Sequence, residues 1–277
     1  MNQHTLKTSY SFEGKGLHTG TFSHMEVMPA AADTGIRFCR TDLPGQPEIP
    51  ALAEYVTKTT RSTTIACGEA EAVTIEHIMS VLTGLGVDNA LIRLDNLEVP
   101  ILDGSARLYL EAFLKDGLED QGVPRRYIDL PEAVELQDNR SGSWVRILPA
   151  GQPSADITVD FGSPVLGVQT VHWDEGTDYA REIGPCRTFC FYREIEPMLQ
   201  NGLIKGGDLS NALVVTDDGY MGDPQLHFPD ECGRHKMLDL LGDFRLCGGY
   251  LNAQITAYKP GHTLNTQAAK ALRALLK

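Results

Sequence analysis

The 277-residue chain is short of positive charge. It has 24 Lys and Arg against 37 Asp and Glu, a formal net charge of −13. A nucleic-acid partner needs a basic footprint, so no nucleic-acid role is expected. Long hydrophobic runs are missing too. No stretch approaches the roughly 20 apolar residues of a membrane span, and Met1–Tyr10 (MNQHTLKTSY) lacks the apolar segment of an export signal. The six cysteines, Cys39, Cys67, Cys186, Cys190, Cys232 and Cys247, contain no CxxC pair. A cysteine metal knuckle is therefore not expected, and scattered thiols point to a reduced, cytoplasmic setting. Disorder is excluded by what the chain does have: 42% hydrophobic residues, enough for a sizeable core.

Strand-like and helix-like stretches alternate along the whole length, and neither dominates, so an α+β fold is expected. Strands are predicted at Thr5–Phe12, His24–Met28, Gly35–Cys39 and Ala90–Leu94, with a proline-rich loop at Asp42–Pro50. One helix is predicted from an N-cap at Thr74 and a second over Leu108–Asp116. Gly117–Arg126 (GLEDQGVPRR) reads as a linker. It divides the chain into a domain of residues 1–122 and one of residues 123–277. Beyond it, strands are predicted at Trp144–Leu148, Asp156–Phe161, Asn211–Val215 and Asn252–Ala257. Helices are predicted at Ile195–Asn201, Glu231–Leu246 and Thr266–Leu276.

The two halves echo each other. His77–Gly84 and His235–Gly242 both fit H-x-M-x-x-L-x-G, and Asn89–Ile92 (NALI) matches Asn211–Val214 (NALV). The echo suggests two similar layers facing one site.

Two helices carry the candidate chemistry. In the first, Ile75, Ile78, Met79 and Leu82 form a core stripe, which leaves Glu76, His77, Ser80 and Thr83 on the opposite face. In the second, His235, Asp239 and Asp243 follow one another at i,i+4 with Lys236 beside them. Two ligands of one metal drawn from one helix need that spacing. His77 can supply a third ligand, which puts Glu76 next to a metal-bound water as general base. Two His and one Asp is also the ligand set of non-haem iron enzymes, although those ligands usually sit on a β-barrel. His262, in the turn Tyr258–His262 (YKPGH), and His18, in the glycine-punctuated turn Gly14–Gly20 (GKGLHTG), are further candidates.

The segments TIEH at Thr74–His77, GVDNA at Gly86–Ala90, EVPILDGSA at Glu98–Ala106, RTFCF at Arg187–Phe191, DECGRHKMLDLLGD at Asp230–Asp243 and AYKPGHTLN at Ala257–Asn265, with the opening GKGLHTG, resemble the UDP-3-O-acyl-N-acetylglucosamine deacetylases of lipid A biosynthesis. The resemblance runs from about Lys7 to Leu276. It implies two similar domains, each with helices packed on a β-sheet, and an active site between them. It implies a cytoplasmic bacterial zinc amidohydrolase, a monomer, whose substrate is UDP-3-O-acyl-N-acetylglucosamine and whose product is acetate. A sugar-nucleotide binder that has lost catalysis is the competing reading.

The resemblance further implies Zn2+ on His77, His235 and Asp239, with Glu76 as base. His262 is similar to the histidine that protonates the leaving amine, Asp243 to its orienting partner, Lys236 to a lysine near the substrate, and Thr188 to the hydroxyl that helps hold the oxyanion. An acyl passage is implied in a β-α-β insertion near residues 189–215. Its expected lining is Phe189, Phe191, Ile195, Ile204, Gly207, Leu209 and Ala212, with Leu17, His18 and Lys205 also at the substrate. Arg187, Arg193, Lys205, Arg234, Lys236, Lys259 and His262 are the candidate cations for the nucleotide. Cys190, Ser163 and Ser62 depart from the pattern, where glycine, His and Cys are common.

Overall fold

The fold is taken from a computed structural model that describes residues 1–276. Its first half runs β1 (Asn2–Leu6), β2 (Tyr10–Lys15), β3 (Phe22–Pro29), β4 (Ile36–Arg40), β5 (Glu48–Pro50), β6 (Val56–Lys58), β7 (Thr64–Cys67), β8 (Ala70–Ala72), α1 (Glu76–Leu85), β9 (Ala90–Leu94), α2 (Arg107–Asp116) and β10 (Leu118–Pro124). The second half runs β11 (Tyr127–Asp129), β12 (Val134–Asp138), β13 (Ser143–Pro149), β14 (Ser154–Asp160), β15 (Val168–Asp174), α3 (Tyr179–Glu182), β16 (Phe189–Phe191), α4 (Tyr192–Gln200), β17 (Leu213–Val215), α5 (Glu231–Phe244), β18 (Tyr250–Tyr258) and α6 (His262–Leu275). The class is α+β, as expected.

Each half is organised by one sheet, and the two sheets share a topology. The first has the order β2-β3-β9-β4-β5, the second β12-β13-β18-β14-β15 with β11 added beside β18. In both, the last strand enters the middle, antiparallel to one neighbour and parallel to the other. In both, the helix carrying H-x-M-x-x-L-x-G comes just before that strand. The helix echo therefore marks equivalent elements. The NALI–NALV match does not: Asn211–Val214 leads into β17, outside the second main sheet, whereas the topological partner of β9 is β18. Asn252–Ile255 (NAQI) in β18 stands in the place of Asn89–Ile92.

The expected linker is not a loop. Residues Leu118–Pro124 form β10, which pairs antiparallel with β1, Leu6 opposite Leu118 and Asn2 opposite Pro124. Its alternating exposed positions and Gly122 in the left-handed region disguise a strand as a polar turn. The boundary expected after residue 122 thus falls inside a paired strand.

Helix α1 starts at Glu76, not at a Thr74 cap. Thr74 sits in the left-handed region at φ +60, and its hydroxyl donates to buried Glu98 Oε1 at 2.7 Å. A nearby buried carboxylate outcompetes the helix N–H groups for that hydroxyl. The helix stops at Gly86, whose left-handed φ of +82 lets Gly86 and Val87 N–H close on Thr83 and Leu82 carbonyls. The polar face of α1 is not solvated, for Glu76, His77, Ser80 and Thr83 are all buried. Helix α5 and the segment around α3 cover it, and Ser80 Oγ meets Tyr179 Oη at 2.8 Å. The α1–α5 contact is close because of glycine: a Cβ on Gly242 would stand 2.1 Å from the Glu76 carbonyl oxygen. The paired repeat position, Gly84, lies against the Tyr179 ring.

Candidate metal centre and catalytic cleft

The crossing of α1 and α5 sets the site. His77 and His235 meet ring to ring, edge on, with centroids 5.0 Å apart. Asp239, one turn beyond His235 on α5, points an oxygen between them. Its Oδ1 lies 3.3 Å from His235 Nε2 and 3.7 Å from His77 Nε2. All three side chains are buried, and their ligand atoms fall within 4.8 Å of one another. Asp239 Oδ1 is a buried acceptor with no hydrogen-bond partner, a costly condition for a carboxylate unless a cation binds it. His235 Nδ1 faces the Cys186 carbonyl at 3.0 Å, which fixes the tautomer with Nε2 free. Burial pushes the His77 imidazole down to about 3, helped by His235, and burial pushes His235 down as well. Neutral imidazoles are the form that ligates a cation. The donor set fits a divalent metal ion.

Glu76 lies against this group. Its Oε2 accepts the Thr63 N–H at 2.9 Å, and its Oε1 lies 3.9 Å from His262 Nε2. Burial, aided by the charges of Asp239 and Asp243, pushes the Glu76 carboxyl up to about 8, against the pull of His262. His262 Nδ1 is held by Asp243 Oδ2 at 3.0 Å. Burial disfavours its charge, but Asp243, Glu76 and Asp239 outweigh that and push the imidazole up to about 9. Asp243 is fully buried and accepts two more hydrogen bonds, from Thr63 Oγ1 at 2.6 Å and Asn265 Nδ2 at 2.9 Å. His262 is not a turn residue. It opens α6 after Gly261, four residues before the predicted helix start.

Lys236 Nζ donates to Asp239 Oδ2 at 2.6 Å and lies 5.9 Å from the centre of the Phe189 ring. Thr188 is fixed by its backbone: its N–H donates to Gly104 O at 2.8 Å. Gly104 must be glycine there, with φ +78 and a Cβ position only 1.8 Å from Asn211 O. The sequence DGSA thereby sets the hydroxyl at the cleft wall. Glu76, His77, Thr188, His235, Lys236, Asp239 and His262 line one cavity of about 530 Å3, with Asp243, Thr63 and Asn265 buried behind it.

A second cavity, of about 240 Å3 and mostly apolar, opens beside it. The β-α-β insertion is present: β16 and β17 are parallel and joined through α4. Of the expected lining, Leu17, His18, Phe189, Ile195, Ile204, Gly207, Leu209 and Ala212 are there. Two residues are not. Phe191 faces the larger cavity and packs on Leu166, Leu213 and Val215. Lys205 is exposed and borders neither cavity, because its backbone is used to dock the insertion: Lys205 N–H donates to His18 O at 3.2 Å. Met198, Leu199, Val214 and Met221 add to the apolar lining, and only their apolar character hinted at it.

The expected cations thin out. Arg187 is bound to buried Glu231 at 2.9 Å and Arg234 to Asp230 at 2.8 Å. Arg193 lies over the Phe191 ring. Lys236, Lys259 and His262 line the larger cavity, joined by Arg61 and Arg140. Arg140 lies in the turn between β12 and β13. Sequence reasoning missed Arg61, Arg140, Thr63 and Asn265, since each acquires its place from a loop or a partner distant in sequence.

The family model for UDP-3-O-acyl N-acetylglycosamine deacetylase matches residues 3–274. The chain belongs to this family. It is 40% identical to the UDP-3-O-acyl-N-acetylglucosamine deacetylase of Trichormus variabilis, with 99% of each chain covered. It is 41% identical to that of Myxococcus xanthus, over 95% of this chain and 84% of the relative. It is also 39% identical to the bifunctional enzyme LpxC/FabZ of Porphyromonas gingivalis, over 99% of this chain but 65% of that protein. The chain thus spans just under two thirds of the length of this fused relative. Among the described residues no helix is long and apolar enough to cross a membrane.

Proposed function

We propose that this chain removes the N-acetyl group of UDP-3-O-acyl-N-acetylglucosamine as acetate, in the committed step of lipid A biosynthesis. One observation carries the reading: a buried His–His–Asp group, a carboxylate and a carboxylate-held histidine converge beside an apolar passage. The metal is read as Zn2+, which His77, His235 and Asp239 would hold. When bound, it would lower the pKa of a coordinated water towards about 7 and polarise the amide carbonyl.

The remaining work falls to side chains. Glu76 Oε1 takes the proton as the water oxygen adds to the acetyl carbon, while Oε2 stays anchored on Thr63. The Thr188 hydroxyl supports the charge developing on the carbonyl oxygen. The C–N bond then breaks, and protonated His262 gives its Nε2 proton to the departing amine. Asp243 holds Nδ1 throughout. Acetate leaves with the oxygen it gained. Lys236 offsets the charge of Asp239 and lies at the wall where the sugar nucleotide binds.

The apolar passage takes the 3-O-acyl chain, with Leu17, His18, Phe189, Ile195, Ile204, Gly207, Leu209 and Ala212 around it. Lys259 and Arg140 meet the anionic nucleotide, a local basic patch on an acidic chain. The reading includes a monomer in the bacterial cytoplasm and two domains, residues 1–122 and 123–277, that meet within β10. Acetate release from the acylated UDP-sugar, lost on chelation and restored by added Zn2+, tests it. No release from a metal-loaded protein would refute it.

A further inference from the structure

Residues 59–63, between β6 and β7, reach the catalytic carboxylates, the start of α6 and the insertion. Thr63 holds Glu76 through its N–H and Asp243 through its hydroxyl. Thr59 Oγ1 shares a 2.7 Å hydrogen bond with Thr263 Oγ1, next to His262. Between them, Arg61 reaches the other way: its Nη2 lies 3.0 Å from Glu194 Oε2 in the first turn of α4. Leu17, Arg61, Thr188, Phe189 and Cys190 line both cavities, so they form the neck between the catalytic cleft and the apolar passage. The Arg61–Glu194 pair spans that neck from the first half of the chain to the insertion.

Two features set the pair apart from an ordinary surface ion pair, and a third lets it open. Glu194 Oε2 is buried and accepts no hydrogen bond, so Arg61 is its ion partner across the neck, while the rest of the side chain is 30% exposed. Arg61 adopts φ +65, a left-handed conformation that strains a non-glycine residue. That strain sits two residues from Thr63. The pair is also weak. Arg61 is 45% exposed at the side chain, and water screens such contacts strongly. It is too weak to hold the halves together, which the α1–α5 contact does, and weak enough to open for a substrate. Methylenes filling the neck beneath it would exclude water and strengthen the attraction. An empty neck leaves it screened.

We propose that Arg61 and Glu194 are a positioning pair that latches over the 3-O-acyl chain and, through the loop, holds Thr63 against Glu76 and Asp243. Chemistry is thereby faster when a long acyl chain occupies the passage. This rests on the deacetylase reading above, and it assigns to that site the means by which acylation of the substrate is sensed.

The test compares acetate release from the acylated UDP-sugar and from the same UDP-sugar without its acyl chain. It uses the wild type, Glu194→Gln, Arg61→Gln and the exchange Arg61→Glu with Glu194→Arg. Metal content and Tm are read for each protein, which separates folding losses from the effect sought. In each single variant the ratio of kcat, acylated over unacylated, falls about five- to tenfold, the equivalent of about 1 kcal/mol. The exchange recovers most of that ratio. A ratio unchanged in both single variants, at normal metal content and Tm, overturns the latch while leaving the deacetylase reading intact. A metal-loaded wild type that releases acetate from neither substrate removes the reading on which the latch depends.

Discussion

Asp243 holds the Nδ1 side of His262 at 3.0 Å and leaves Nε2 facing Glu76 and Asp239, 3.9 Å from each. That contact keeps the imidazole charged well above its ordinary range, up to about 9. As a proton donor, His262 is active below that value and is lost as pH rises through it. Activity is therefore expected to fall on the alkaline side near pH 9. In His262→Asn the residual activity should lack that fall. A profile of kcat against pH for the two proteins checks this.

Glu76→Gln keeps the size and the anchor on Thr63 but cannot take a proton. Its kcat should fall about 10²–10⁴-fold with KM nearly unchanged. Metal content measured by atomic emission should equal that of the wild type. A variant with normal kcat would remove Glu76 from the base role.

His77→Ala should purify with less than a tenth of the metal of the wild type and lose activity with it. Losing one of three ligands opens the site, and the buried Asp239 Oδ1 loses its cation. Asn265→Ala offers a contrast, because it removes a donor to Asp243 and not a ligand. It should keep its metal and lower kcat by roughly tenfold, about the worth of one hydrogen bond to a charged group.

The helix crossing gives a stability prediction. Gly242→Ala would drive a methyl into the Glu76 carbonyl, 2.1 Å from where it would stand. The cost should be about 3 kcal/mol, a Tm lower by roughly 6–10 °C. Gly261→Ala, open on all sides at its Cβ, should shift Tm by far less. Differential scanning calorimetry distinguishes the two.

What could be read from the sequence was what local spacing governs. The i,i+4 relation of His235 and Asp239 needs only a helix, and the long α5 leaves no doubt of one. Glu76 and His77 at the start of a second periodic helix followed by the same logic, and the resemblance supplied Thr188 and a role for His262, which its turn had already singled out. What could not be read depends on chain segments meeting. The burial of the polar face of α1 could not be read, because nothing in its sequence tells that α5 covers it. Arg187 and Arg234 looked free until Glu231 and Asp230 took them. Thr63 carries no signal in its neighbours, since its two roles come from a strained loop whose geometry begins at Arg61. The NALI–NALV match misled because four residues are too few to identify equivalent strands, whereas sheet order is decisive.

The ring contact between His77 and His235 has a mechanical meaning. One histidine belongs to each half, so an ion shared between them is a rivet through the joint. Binding energy for the metal is then also docking energy for the halves. Chelation should loosen the seam between the two sheets before it unfolds either of them, and the catalytic cleft, which is that seam, would lose its shape along with its metal.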